Sequence, residues 1–257
     1  MVAANPRVAA VPPAWLTAPA GRAFSLTLAS GAAASAVRVE RDEHLRAAAA
    51  ELGLSGTALV IVGGAGRMED SELDRMEPLF REVLGPFAER QGAILIDGGT
   101  DSGVMGLAGQ ARRTSSFVLV GVVAGALAAE SPDPESDAAP LEPNHSHFLF
   151  VPGTRWGDES PWLARFASVV AHGQRSATVL VNGGDVTLRD AEESVGEGRP
   201  VIVVTGSGGV AETLSDTLRG GATDARASTV VASGLVHAAD VAAIGPLLDN
   251  LFAGGTE

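Results

Sequence analysis

The chain has 257 residues, 46% hydrophobic and 19% charged, enough apolar material for one large α/β domain with a buried core. A formal net charge of −13 argues against nucleic acid and anionic membranes as partners, and 4% aromatic residues with no tyrosine leave no stacking platform for single strands. The absence of cysteine excludes disulfides, thiolate metal sites and cysteine nucleophiles.

Taken in order, residues 1–22 are rich in alanine and proline and read as an irregular arm, leaving 23–257 as a single domain. Pro6, Pro12, Pro13 and Pro19 interrupt the apolar run that an export signal needs. No apolar stretch approaches the ~20 residues of a membrane helix, so a cytoplasmic protein is expected. Residues 24–28 alternate like an edge strand, and 40–52 read as an amphipathic helix ended by Gly53. The run ALVIV at 58–62 has the continuous apolar texture of a strand covered on both faces, and it stops at Gly63, Gly64, Ala65 and Gly66. A long helix is expected over 71–91, with Gly85 and Pro86 placed to bend or divide it. A strand at 93–96 follows, then Asp97, Gly98 and Gly99, and a helix opening near Ser102 and Gly103 and running to about 113.

A third strand is expected at 117–123, an acidic, proline-rich solvated loop at 130–143, a short strand at 148–151 and a helix at 161–171. The strand at 177–181 ends in Asn182, Gly183 and Gly184 and leads to a helix at 187–196. The strand at 201–204 ends in Gly206, Ser207, Gly208 and Gly209 and leads to a helix reaching about 218. A last strand is expected at 229–232, and a closing helix at 238–252 broken at Gly245 and Pro246. The alternation predicts an α/β, Rossmann-like three-layer sandwich with a mostly parallel central sheet and right-handed crossovers.

Four strands thus end in glycine clusters, and a parallel sheet brings such ends to one edge, where open α/β folds bind ligands. Glycines let successive N–H groups form a concavity, and the following helix N-terminus adds partial positive charge. The four turns therefore read as a phosphate- or nucleotide-binding crevice. None is a Walker A loop, and Asp70 interrupts the dinucleotide fingerprint after Gly66. Around the turns, Asp97 fits a ribose hydroxyl or a turn cap. Thr100, Asp101, Ser102 and Thr187 are helix-capping types, with Thr100 and Ser102 also able to donate to phosphate, and Gly106 and Gly109 suit close packing of their helix on the sheet. His145 and His147 read as a hydrogen-bonded pair or as ligand contacts, and with no third ligand nearby no metal is expected. Arg112, Arg155 and Arg165 are candidate neutralisers of a pyrophosphate. No hydrolytic triad assembles, so acid–base work would fall to Asp97, Asp101, Asp190 or Glu192.

The segments IDGGTDSGVMGLAG, LEPNHSHFLFVPG, VLVNGGDVTLRDAEE and GRPVIVVTGSGGVAE, in this order, resemble the SLOG superfamily. More narrowly they resemble its LSDAT branch, whose eukaryotic members form the N-terminal region of melastatin-type TRP cation channels. With no channel segment in the chain, the likeness is to the stand-alone prokaryotic form. The resemblance implies a Rossmann-like fold binding a nucleotide-derived ligand such as ADP-ribose or a related NAD metabolite, no required cofactor, and a homo-oligomer, dimer or higher. It adds Asn144 to the expected ligand contacts through the LEPNHSHF segment. The wider superfamily includes Lonely Guy-type phosphoribohydrolases, whose PGGxGTxxE motif aligns with 182–190 here. Asn182 stands for its proline, Val186 for its third glycine and Asp190 for its catalytic glutamate. Two readings follow: a binding or sensing module, and a hydrolase cleaving an N-glycosidic or phosphate ester bond with Asp190 and Asp101 as its carboxylates.

Overall fold

The computed structural model describes residues 13–66, 68–131, 135–221 and 224–253. Its strands are β1 (Ala23–Thr27), β2 (Ala33–Arg38), β3 (Ala58–Gly63), β4 (Ile94–Asp97), β5 (Leu119–Ala124), β6 (Ala128–Ala129), β7 (Ala139–Pro140), β8 (His147–Val151), β9 (Ser176–Val181), β10 (Val201–Val204) and β11 (Val236–Ala239). Its helices are α1 (Ala14–Thr17), α2 (Leu45–Glu51), α3 (Asp70–Pro78), α4 (Gly85–Gln91), α5 (Gly103–Arg112), α6 (Ser160–Ala171), α7 (Asp185–Gly196), α8 (Gly209–Leu218), α9 (Ala225–Ala232) and α10 (Val241–Phe252).

Among the described residues the main sheet has nine strands in the order β1-β2-β8-β5-β4-β3-β9-β10-β11. Each pairing is parallel except that of β1 with β2. The apolar run of β3 explains its central place: Val60 and Val62 enter one core, and Leu59 and Ile61 the other. Leu45, Phe166, Leu188 and Val230 cover the first face from α2, α6, α7 and α9. Phe87, Leu107 and Leu248 cover the second from α4, α5 and α10. The expected three-layer α/β sandwich is therefore the observed one. From β3 the chain first builds outward through β4, β5 and β8, then returns to place β9 on the other side of β3. That reversal opens a crevice at the carboxyl ends of β3 and β9, the place where such folds hold ligands.

Four local expectations are corrected. Residues 225–232 form helix α9 and not a strand. The Asp224 carboxylate accepts the N–H groups of Arg226 (2.7 Å) and Ala227 (3.1 Å), and this cap, with Ala227 and Val230 buried on one side, outweighs the β-branched Thr229, Val230 and Val231. The last strand is β11, and α10 starts only after it, capped by Asp240, and runs through Gly245 and Pro246. The long second-layer helix is distorted one turn ahead of Gly85, in a wide turn over Leu79–Leu84. Pro86 has no N–H for the preceding turn, which widens to accommodate it. β2 was not expected from the sequence, because its AASAVR has little strand propensity; pairing on both sides holds it there.

Of the expected N-terminal arm, residues 1–12 lie outside the described residues. The rest contains α1, whose Trp15 is buried, stacks on Phe150 at 5.4 Å and donates its indole N–H to the Gly125 carbonyl. This segment closes a third apolar cluster beneath β1, β2 and β8. Trp15→Ala is expected to cost about 3 kcal/mol in urea unfolding followed by circular dichroism, as for other large buried aromatics. A loss near zero would mean that the segment merely rests on the surface.

Candidate functional site

The carboxyl ends of β4, β3, β9 and β10 are successive neighbours in the sheet, so the four glycine turns form a row. They touch through bare backbone. A Cβ on Gly63 would overlap the Val181 carbonyl, one on Gly103 the Gly64 carbonyl, and one on Gly209 the Gly183 carbonyl. Val104 N–H donates to the Gly64 carbonyl, Gly64 N–H to Val181, and Val210 N–H to Gly183. Gly103 also has φ +50°, a backbone angle that other residues rarely adopt.

Three of these turns enclose a cleft of about 840 Å³. Gly63, Gly64, Ala65 and Gly66 form one wall; Gly98, Thr100 and Ser102 line the next. Asn182, Gly183, Gly184 and Thr187 complete it together with Asp185 and Val186. Gly184 is the N-cap of α7 and no side chain caps that helix, so its first-turn N–H groups face the cleft without intrahelical partners. The Thr187 hydroxyl donates to the Gly63 carbonyl and ties this helix to the end of β3. Ser102 likewise caps α5 by position only, its hydroxyl lying 3.3 Å from that of Thr100.

Gly206, Ser207, Gly208 and Gly209 do not line the cleft; they brace it. The N–H groups of Val210 and Ala211, at the start of α8, are spent on the carbonyls of Gly183 and Asn182. Ser207 accepts the Asn182 N–H at 2.8 Å and donates to Val204 at 2.6 Å. Asn182 has φ +55°, and its side chain bonds Ser207 O, Glu72 and the Gly183 N–H. Proline cannot reach that angle, so the departure from the superfamily's proline follows from this backbone.

Asp97, His145 and Glu142 lie behind the second turn, fully buried. His145 Nε2–H donates to Asp97 and Nδ1–H to Glu142, both at 2.8 Å. With both carboxylates ionised, both ring nitrogens donate and the ring is an imidazolium. Burial alone would lower its pKa, but the Asp97 charge and the two hydrogen bonds outweigh burial and lift it to about 9. The network clamps Gly99: Asp97 accepts its N–H at 2.7 Å, and the Glu142 N–H donates to its carbonyl at 3.0 Å. Gly99 has φ +68°, and a Cβ there would stand 2.7 Å from Gly121 Cα. Gly109 leaves the space that the Glu142 carboxylate fills, rather than serving helix-to-sheet packing. Asn144 also bonds Glu142, and His147 bonds Ser146 at the start of β8. Asp97, Gly99, Gly103, Asn144, His145 and His147 are thus not in the cleft lining; they position its second wall.

The expected solvated loop at 130–143 is corrected at its end, where Leu141 and Glu142 are buried and Pro140 accepts the Asp101 N–H. The candidate arginines are engaged elsewhere or lie outside the lining. Arg112 donates to the carbonyls of Phe117 and Asn144, Arg165 pairs with Asp42, and Arg155 is outside the lining. Asp190 lines the cleft but Asp101 does not; Asp137, Asp185 and Glu159, at the start of α6, are the other acids there. Desolvation pushes the Asp190 carboxyl up to about 7, with Glu159 and Glu193 adding to the rise and Ser160 and Arg189 opposing it. Glu159 is raised too, first by burial, although it accepts the Gly157 N–H. Asp101 is raised by partial burial and then by Glu142, with His145 opposing. The sequence reading also missed Trp156, a tryptophan between Arg155 and Gly157 that lines the cleft while 41% exposed. A large aromatic in a short glycine-flanked loop was a usable signal; Glu159 carried none. Among the described residues no helix is long and apolar enough to cross a membrane.

The family profile described as SLOG in TRPM, prokaryote, matches residues 56–245. Transient receptor potential cation channel subfamily M member 2 of Mus musculus is 26% identical over 196 residues, 61% of this chain and 13% of the channel. Subfamily M member-like 2 of Nematostella vectensis is 25% identical over 181 residues, 54% of this chain and 12% of that protein. The alignment thus spans a small fraction of each channel. Among solved structures, the X-ray structure of the structural-genomics target TM1055 superposes with a TM-score of 0.54 at 25% identity, covering 76% of this chain and 99% of that one.

The buried imidazolium makes folding stability depend on pH. Its pKa is raised from 6.5 to about 9, so its stabilisation is complete below pH 6.5, declines through that interval and is lost above about 9. Urea midpoints at pH 6, 8 and 10 are expected to fall for the wild type and to change much less for His145→Gln. Parallel profiles for the two proteins would assign the pH dependence to other groups.

Proposed function

This chain belongs to the prokaryotic SLOG-in-TRPM (LSDAT) family, a nucleotide-binding family, and we propose that its cleft binds a nucleotide-derived ligand, ADP-ribose or a related NAD metabolite, as a sensor. The observation that carries this reading is the uncapped N-terminus of α7 opening between three glycine turns into a cleft of about 840 Å³. Backbone N–H groups and a helix dipole suit a phosphate in a protein whose net charge is −13 and whose cleft lining, among the described residues, contains no lysine, arginine or histidine. Trp156 at the rim offers a face for a base, and the volume suits a ligand of dinucleotide scale. The resemblance also carries the expectation of a homo-oligomer, which sedimentation of the purified protein tests.

One observation favours a second reading. Asp190 is a carboxyl inside the cleft whose pKa of about 7 suits general acid work, as in a nucleotide hydrolase. Asp101 lies outside the lining, so Glu159 would be its partner. Incubation with ADP-ribose, cyclic ADP-ribose, NAD and AMP, read by thermal shift and by chromatography of products, separates the readings. Stabilisation with intact ligand supports the sensor. Release of base or phosphate that disappears in Asp190→Asn supports the hydrolase. No shift with any of the four ends the nucleotide reading.

Two variants sharpen the test. Gly184→Asp is expected to keep or raise stability by about 0.5 kcal/mol, because an aspartate at this N-cap satisfies α7, while it weakens ligand binding at least about tenfold by occupying the anion position. Trp156→Ala should leave the melting temperature of the free protein unchanged and weaken binding about tenfold, the usual scale for one stacked base. Binding titrations that match the wild type in both variants would remove the ligand from this end of the cleft.

A further inference from the structure

Beside the open end of α7 stands a cation that does not itself line the cleft. Arg226 lies in the first turn of α9, which packs against α7. Its backbone N–H donates to the capping Asp224 carboxylate at 2.7 Å, which fixes where the side chain leaves the helix. The guanidinium then crosses to α7, where Nε and Nη2 donate to the two carboxylate oxygens of Glu192 at 2.7 and 2.8 Å. This two-point fork orients the plane of the group. Nη1 is left for Asp185, to which it donates at 2.7 Å. Asp185 opens α7 and lines the cleft, so this donor of Arg226 stands one hydrogen bond from the lining. The two anchors are unequal. Glu192, 33% exposed, holds the guanidinium through two bonds. The Asp185 side chain is 91% exposed and has Arg226 as its one bonded partner among the described residues. Exposed single contacts are weak, because water screens both charges and the side chains give up freedom to keep them.

Resting on the reading of this cleft as a nucleotide site, we propose that Arg226 binds the ligand: a phosphate at the start of α7 displaces Asp185 from Nη1, while Glu192 keeps the guanidinium in place. In the free protein the Asp185 carboxylate occupies that donor as a stand-in for the ligand anion. The exchange leaves Arg226 with as many hydrogen bonds as before, and the released carboxylate turns to the water that already surrounds it. The incoming phosphate gains the first-turn N–H groups of α7 and a charged donor together. The ligand class at this end of the cleft follows from the same contact. A phosphate or pyrophosphate oxygen can replace a carboxylate on a guanidinium, whereas a ribose hydroxyl or a neutral base gives up the charge-assisted part of the bond.

Calorimetric titration with ADP-ribose tests the exchange through two variants that break the same ion pair. Arg226→Gln is expected to weaken binding about tenfold and to flatten its salt dependence, because a charged contact is lost. Asp185→Asn is expected to tighten binding about threefold, because the ligand no longer has to displace a carboxylate. If Arg226 only braces α7 against α9, both variants weaken binding alike, and that result overturns the proposal. Wild-type affinity in Arg226→Gln overturns it too. Contact is read directly from the guanidinium nitrogen NMR signals of Arg226, assigned by their loss in Arg226→Gln. A saturable shift on adding ADP-ribose to the wild type upholds the exchange; unmoved signals overturn it and leave nucleotide binding intact. If ADP-ribose does not bind at all, the reading of the site has failed separately. Inorganic pyrophosphate titrated against the same signals then decides the role of Arg226: a saturable shift upholds it, and unmoved signals overturn it.

Discussion

The cleft depends on backbone meeting backbone. Four turns that leave adjacent parallel strands are pressed together at Gly63, Gly103 and Gly209, where any side chain would displace a carbonyl of the neighbouring turn. Each contact is also hydrogen-bonded, so the row behaves as one body and not as four independent loops. Glycine serves two purposes at once here. It permits the close approach, and it leaves the N–H groups of α7 uncovered on the cleft side.

Charge is arranged around that body in two layers. Behind it, His145 links Asp97 and Glu142, which grip Gly99 from both sides: Asp97 accepts its N–H and the Glu142 N–H donates to its carbonyl, with Gly109 leaving room for the Glu142 carboxylate. Removing either carboxylate would strand a buried charge, so the network specifies the shape of the second turn more than it adds stability. In front, the first-turn N–H groups of α7 lie open on the cleft side, beside the partly withdrawn carboxyl of Asp190.

Much of the architecture was legible in the chain. Continuous apolar runs at β3, β4, β9 and β10 ended in glycine, and that pattern gave the parallel sheet, the row of turns and the binding edge together. The failures have specific causes. Strand propensity at Thr229, Val230 and Val231 was overridden by the Asp224 cap, and the alanine-rich β2 is held by its neighbours. The sequence placed both histidines of the NHSH segment near the binding edge but not behind it. The burial of His145 behind the turn depends on Glu142 folding back over α5, a long-range contact with no local signature. Trp156 and Glu159 enter the cleft only because α6 packs beside α7 across β3 and β9.

By itself, the sequence determined which strands are buried and that their ends would be glycine turns on one edge of a parallel sheet, because apolar runs and glycine placement are local properties of the chain. Only the tertiary structure decided which turns hold and which brace. The carbonyls of Asn182 and Gly183 consume the N–H groups of α8, and that competition leaves α7 as the open helix end. It also decided that Glu159 and not Asp101 lines the cleft with Asp190, since the two are equally plausible in a string of letters and burial separates them.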